Sequence, residues 1–373
     1  MITVEAVAGR AARADFHRLP GAAMALDPHW VEPLRLERRR FLDPKHNPYF
    51  AHAETQFWLA RRGGRPVGRI SAQIDRLAPR EDGAVIGHFG MLAALDAEPV
   101  APLLAAAEDW LRARGAGQAR GPFSLSINHT SGVLIDGFDA PPSVMMAHDP
   151  RWLGTAVAAC GYAKARDLVA YTLDVRHGLS DRLRRHGQRL GPGLRIRSIR
   201  MADFDAEIET ITAIFNDAWA GNWGFAPLTE AETAALAVDL KPIIDPELVK
   251  IGEIDGDPVG FIVLLPNINE ALAGLGGRLL PLGWARLLWR LKVRGVRSAR
   301  VPLMGVRKAA QATMAGKTLP LKLIYALEDR SLARRIETLE MSWLLEDNWP
   351  VRHVIESIGG AVSKTWRVYG KAL

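Results

Sequence analysis

Glu340, Ser342 and Glu346 recur at even spacing, so a strand through them sets all three on one face, with Glu346 at its end. A carboxylate in a partly apolar cleft can accept a proton near neutral pH, directly or through water. Asp347, Asn348 and His353 follow closely. Each of these residues also has a plainer role open to it. Glu340 suits a cross-strand partner, His353 a helix surface, and Asn348, just before Pro350, a helix N-cap. A second group, Gln311 to Gly316 with Arg307, Lys308 and Lys317, has the make-up of a basic surface loop after a strand that ends at Val306. Its Gly316-Lys317-Thr318 matches the tail of a P-loop, but Gln311 stands where the leading glycine belongs. A third group, Asn216, Trp219, Asn222, Trp223, Gly224 and Phe225, closes a helix that begins near Asp203. Aromatic rings with interspersed amides line an apolar channel or pack a core.

The elements that must position these groups come in two similar sets. Gly64-Arg65-Pro66-Val67-Gly68 reappears as Gly256-Asp257-Pro258-Val259-Gly260, each copy between apolar runs, which reads as a repeated β-hairpin. After the first hairpin we expect a strand Ala84–Met91, a helix Glu98–Arg114, a strand Phe123–Ile127 and a helix Pro150–Cys160. The helix has Val100, Leu103, Leu104, Ala107 and Leu111 on one face. After the second come a strand Arg300–Val306, a helix Leu319–Arg335, a strand Thr338–Leu345 and a helix Pro350–Ile358. Lys164 and Lys364 introduce matching final strands. The plan is α+β, with residues 1–178 and 194–373 as two units and 179–193 as a basic linker whose Ser180–Arg189 could form a short helix.

At 373 residues, 48% apolar and 24% charged, the chain is long enough for two packed cores. One cysteine, Cys160, excludes an internal disulfide framework, and no metal site is expected. The first residues lack an apolar signal segment, and no long uncharged apolar window occurs, which together point to a cytoplasmic protein. The formal net charge of +7 is unevenly placed. Between Glu270 and Glu328 there are eleven Arg and Lys and no Asp or Glu, leaving the rest of the chain net negative. Such a block implies an anionic partner or a solvated face. No aromatic stacking platform accompanies it, so nucleic acid is not expected.

The stretch Glu340 to Asn348, followed by a helix and Gly359-Gly360, resembles the GNAT family of acyl-CoA-dependent N-acyltransferases over Leu194–Leu373. The first half is similar to a diverged second copy. The fold implied is two tandem GNAT-like domains, each a mixed, mostly antiparallel sheet flanked by helices. His46-Asn47-Pro48, Gly121-Pro122-Phe123, Asp136-Gly137-Phe138, Asn222 to Phe225, Lys241 to Asp245 and Glu346-Asp347-Asn348 resemble a proteobacterial GNAT-like family that includes bacterial ceramide synthases.

The resemblance implies transfer of a long acyl chain from acyl-CoA or acyl carrier protein to a sphingoid base amine, with no permanently bound cofactor. It implies carrier binding by Val306, Arg307, Gln311, Ala315, Gly316 and Lys317, although Met314 replaces the first glycine of the family's phosphate pattern. It implies an acceptor site at Asn216, Trp219, Asn222, Trp223 and Phe225, while the residues themselves offer Glu340 or Glu346 as the base, with Asn348 and His353 beside them, for catalysis. Ile355 stands where many members carry a tyrosine acid. Asn267–Arg297 is an insertion relative to a minimal domain. Within it, a helix over Leu282–Arg297 sets Trp284, Leu287, Leu288 and Leu291 beside Arg286, Arg290, Arg294 and Arg297, which suits an anionic membrane face, an acidic carrier protein or a lid on a lipid tunnel. An aminoacyl or small-molecule acceptor and an inactive lipid-binding module are the alternatives. In the first half, His46, His88 and Asp136 are candidate ligand residues.

Overall fold

The computed structural model describes residues 1–176, 193–241, 244–328 and 335–373; most of the expected linker and the Lys241–Asp245 motif's Pro242 and Ile243 lie outside them. Strands β1 (Ile2–Ala6), β2 (Ala53–Arg62), β3 (Arg65–Asp75), β4 (Val85–Ala94), β5 (Ala116–Gly121), β6 (Val133–Asp136) and β7 (Ala163–Asp174) belong to the first half. The second half supplies β8 (Leu194–Ser198), β9 (Val249–Ile254), β10 (Asp257–Pro266), β11 (Ser298–Val306), β12 (Thr338–Leu345) and β13 (Ala361–Ala372). All thirteen join one sheet in the order β1-β2-β3-β4-β5-β13-β7-β12-β11-β10-β9-β8, with β6 pairing β13.

Both expected hairpins form. β2 and β3 turn through Gly63-Gly64, and β9 and β10 through Asp255-Gly256, with positive φ at both residues of each loop. That backbone matches the twist of paired strands. The repeat extends to packing. A Cβ on Gly68 would lie 2.7 Å from Leu103 Cδ1, and one on Gly260 would lie 2.6 Å from Leu319 Cδ2. In each half the glycine lets a helix, Val100–Arg112 or Met314–Glu328, settle directly on the third strand.

The halves interlock through their last strands. β7 lies between β12 and β13, both from the second half. β13 lies between β7 on one side and β5 and β6 on the other, all from the first half.

Two expected elements differ here, and one strand is new. Phe123–Ile127 is not a strand: beyond one bridge from Phe123 to Ser131 it turns, and Leu125 has φ of 81°. Its apolar alternation serves packing instead, with Phe123, Leu125 and Ile127 all buried. β6 was not anticipated. The helix expected from Leu319 begins at Met314, and the expected end at Arg335 runs through residues outside those described. The early start follows from Thr313, whose Oγ1 accepts the Gly316 amide at 3.0 Å. Pro320 therefore sits inside the helix, past its first turn.

Candidate active site

Parallel strands β11 and β12 pair only from Ser298–Val301 against Thr338–Met341, then part. Arg300 and Glu340 are register partners beside this fork. The Ser342 hydroxyl donates to Glu340 Oε1 at 2.6 Å and accepts from Arg300 Nε at 2.9 Å. Arg300 also donates to the Ser342 carbonyl at 3.0 Å and to the Val144 carbonyl at 2.9 Å. Arg300, Glu340 and Ser342 are all buried. Burial pulls the Arg300 guanidinium down to about 10, and the Glu340 charge opposes that shift. From β13, buried Lys364 donates to the carbonyls of Gly137 and Ala140. Burial lowers its pKa, again opposed chiefly by Glu340. A carboxylate hydrogen-bonded by a hydroxyl and faced by two cations is thus built from three strands and closed by residues 137–144 of the first half. The pair Glu340–Ser342 can pass a proton from the fork to the carboxylate.

Aromatic rings form the fork's wall. Trp219 meets Trp343 edge-on at 6.1 Å, and Phe215 links Trp219 to Phe225 at 5.1 and 5.7 Å. Trp219, Phe225 and Trp343 remain part-exposed. The other expected acceptor residues are occupied differently. Asn216 clamps both backbone groups of Leu228 at 3.0 Å. The Asn222 backbone closes turns with Trp219 and Phe225. Trp223 lies between the guanidinium groups of Arg120 and Arg166, at 4.8 and 5.5 Å from its ring centre.

The other candidates on and after β12 are spread out. Glu346 accepts from Lys164 Nζ at 2.6 Å and from the Asp167 amide at 3.0 Å, so both its oxygens are engaged. Asn348 occupies the N-cap position of the helix Trp349–Ser357 without a side-chain cap bond. His353 is exposed and packs on Trp349 at 5.8 Å. Ile355 is buried in a cluster with Tyr171 and Met341.

At the open end of β11, Val306 is buried and its carbonyl accepts from Gln311 Nε2 at 2.7 Å. Arg307 Nε donates to the Pro258 carbonyl at 3.1 Å. Gly316 is buried, and a Cβ there would lie 2.0 Å from the Ala310 carbonyl oxygen, so close packing alone requires glycine. Ala315 is half-buried, while Met314 and Lys317 are exposed. Thr318 lies within the helix and bonds back to the Ala315 carbonyl, away from the metal-binding post of a P-loop.

Sequence reasoning missed Arg300 and Lys364 as members of the site. The signal for Arg300 was a single cation inside the apolar run Ala299–Val301, and for Lys364 a lysine at the start of a strand-like run.

The corresponding fork of the first half is closed. β4 and β5 pair in parallel from Val85–His88 against Ala116–Arg120. Beyond that, Gln73 Nε2 donates to the carbonyls of Phe123 and Leu125 at 3.0 and 2.9 Å, and Tyr49 donates to Leu125 at 3.1 Å. His88 is buried edge-on against Phe123, and burial drops its pKa to about 3. His46 pairs with Asp43 at the surface, and Asp136 lies on β6 opposite Thr365. Among the described residues, no helix is long and apolar enough to cross a membrane.

No family model matches the chain. Among curated proteins, it is 52% identical over 361 residues to the bacterial ceramide synthase of Caulobacter vibrioides, covering 96% of this chain and 94% of that one. It is 45% identical to Protein YghO of Escherichia coli over 96% of this chain and 92% of that one. Among solved structures, a tandem GNAT protein from the clavulanic acid biosynthesis pathway matches all of this chain and 98% of its own, with a TM-score of 0.58 at 14% identity. A GCN5-related glucosamine N-acetyltransferase region of a fungal multi-domain enzyme matches with the same score at 13% identity, over 38% of that chain. The structural likeness shows the fold, and the sequence identity shows the kinship: the chain is an acyltransferase and belongs to the tandem-GNAT family that includes the bacterial ceramide synthases.

Proposed function

We propose that this acyltransferase moves a long acyl chain from a thioester, acyl-CoA or acyl carrier protein, to the amine of a sphingoid base. The buried Glu340–Ser342 pair beside an aromatic-walled fork carries this reading, in a chain half identical to a ceramide synthase. The neutral amine nitrogen attacks the thioester carbonyl. A C–N bond forms, the C–S bond breaks, and the thiol leaves. Ser342 relays the amine proton to Glu340, and that proton goes out on the departing sulfur. Glu340 is the base we favour, because both oxygens of Glu346 are already engaged. Glu346 and Asn348 then hold the joint between strand and helix, and His353 stays at its surface. Trp219, Phe225 and Trp343 line the acyl and acceptor path. Val306, Arg307, Gln311, Ala315, Gly316 and Lys317 receive the carrier's phosphates at the helix start. The same proposal places the unit boundary at residues 179–193 and the enzyme in the cytoplasm beside the inner membrane.

Thiol release from palmitoyl-CoA, with and without a long-chain base, tests the reading, together with mass detection of the N-acylated product. Release that depends on the base is expected. No base-dependent release with either a coenzyme A or a carrier-protein donor would overturn it.

A further inference from the structure

The helix Gly283–Trp289 continues into a wide turn, Arg290–Arg294. The sequence had grouped Trp284, Leu287, Leu288 and Leu291 on one side. The structure divides them. Leu287 and Leu291 pack onto the core of the second half. Trp284, Leu288, Trp289 and Val293 are 50%, 48%, 55% and 61% exposed. Leu280 and Leu282 in the approaching loop are 80% and 73% exposed. Arg290 does not share this outward side, since its guanidinium is held by the carbonyls of Ala271 and Ala273. Arg278, Arg286, Lys292 and Arg294 are exposed. No Asp or Glu occurs from 271 to 327, so the exposed apolar side chains have only cations as charged companions in their own stretch.

We propose that residues 278–294 form a docking surface for an anionic lipid bilayer, into which Leu280, Leu282, Trp284, Leu288, Trp289 and Val293 insert. Trp rings favour the level of the lipid headgroups, and leucine and valine the acyl boundary below. Arg286, Lys292 and Arg294 then meet lipid phosphates, and Arg290 fixes the helix to the body of the protein. An acidic protein could match the charge, but it leaves six scattered, protruding apolar side chains without a fluid medium to enter. The surface also connects to the site. Asn269, from the same insertion, donates to the Pro142 carbonyl, and Arg300 donates to Val144 in the same covering loop. Docking therefore sets that loop near the bilayer. The proposal goes beyond the transfer reaction and does not depend on it, because it is tested without turnover.

Co-sedimentation of the full chain with vesicles decides it. Phosphatidylcholine vesicles are compared with vesicles that include phosphatidylglycerol. Wild type is expected to partition about tenfold or more in favour of the anionic vesicles, and less so as salt rises. Arg286→Glu/Lys292→Glu is expected to lose that preference, and Trp284→Ser/Trp289→Ser to reduce binding to both. Circular dichroism melts of the variants should match wild type, since none of the four side chains belongs to the buried core. Equal binding by wild type and both variants overturns the proposal. So does failure to bind either vesicle, including the case where purified acyl carrier protein is retained instead.

Discussion

The two forks of the sheet share a plan and differ in what fills them. Beyond β4 and β5, the chain's own residues 122–127 enter the gap, and their carbonyls are taken by Gln73 and Tyr49. Beyond β11 and β12, the gap is walled by Trp219, Phe225 and Trp343, and polar groups with two cations stand beside it. A repeated framework can thus commit one copy to packing and leave the other, in the reading proposed above, to chemistry. The difference lies in a few side chains and one loop, while the hairpins, the glycine beneath the helix and the parallel pairing stay alike.

The sharpest way to break this comparison is Glu340→Gln. If the second fork is the seat of chemistry, base-dependent thiol release falls by about two to four orders of magnitude with folding retained. An unchanged rate would remove Glu340 as the base. Next in size is a pair of glycine substitutions. A Cβ on Gly90 would lie 1.6 Å from the Phe123 carbonyl oxygen, a backbone atom of the plug. Gly90→Ala should therefore displace the plug and cost well over about 3 kcal/mol of stability in a denaturant melt. Gly305→Ala meets Phe261 Cε1 at 3.1 Å and Ala218 Cβ at 3.3 Å, overlaps relieved by shifts of only a few tenths of an ångström. Its cost should stay within about 1–3 kcal/mol. Equal losses would contradict the contrast between the two forks.

The smallest effect is a pH dependence of the plugged half. His88 has a folded pKa of about 3, against an ordinary value of 6.5. Its neutral form is favoured by folding, so its contribution is full above about pH 6.5 and is lost as pH falls toward about 3. Stability should drop by about 2 kcal/mol between about pH 7 and about pH 5 on its account. His88→Gln should flatten that part of the profile; an identical slope would show that His88 is not its source.

Much of the framework was legible because its signals are local. The hairpins were announced by Gly-rich gaps between apolar runs, and the helix Val100–Arg112 by spacing that buries Val100, Leu103, Leu104, Ala107 and Leu111. The plug misled because apolar alternation measures burial, and a loop threaded into a core alternates as a strand does. The amphipathic helix misled for a related reason: sequence gave the angular positions of Leu287 and Leu288 but not which side of the helix the core lies on. The site was legible only in part. Glu340 and Ser342 are neighbours on one strand, whereas Arg300 and Lys364 reach them from other strands, with bonds to Val144 and Ala140 across long stretches of chain. No periodicity encodes such convergence.

The interlocked last strands have a consequence for synthesis. On a ribosome, the first half emerges complete in length but not in sheet, because the strand that sits between β5 and β7 is made only at residues 361–372. Until then the edges of β5 and β7 have open hydrogen-bonding groups, the condition that invites pairing with another chain. Nascent chains of this protein should therefore need shielding through nearly the whole of translation. Premature termination before residue 361 should yield aggregates in which even the first half is unfinished.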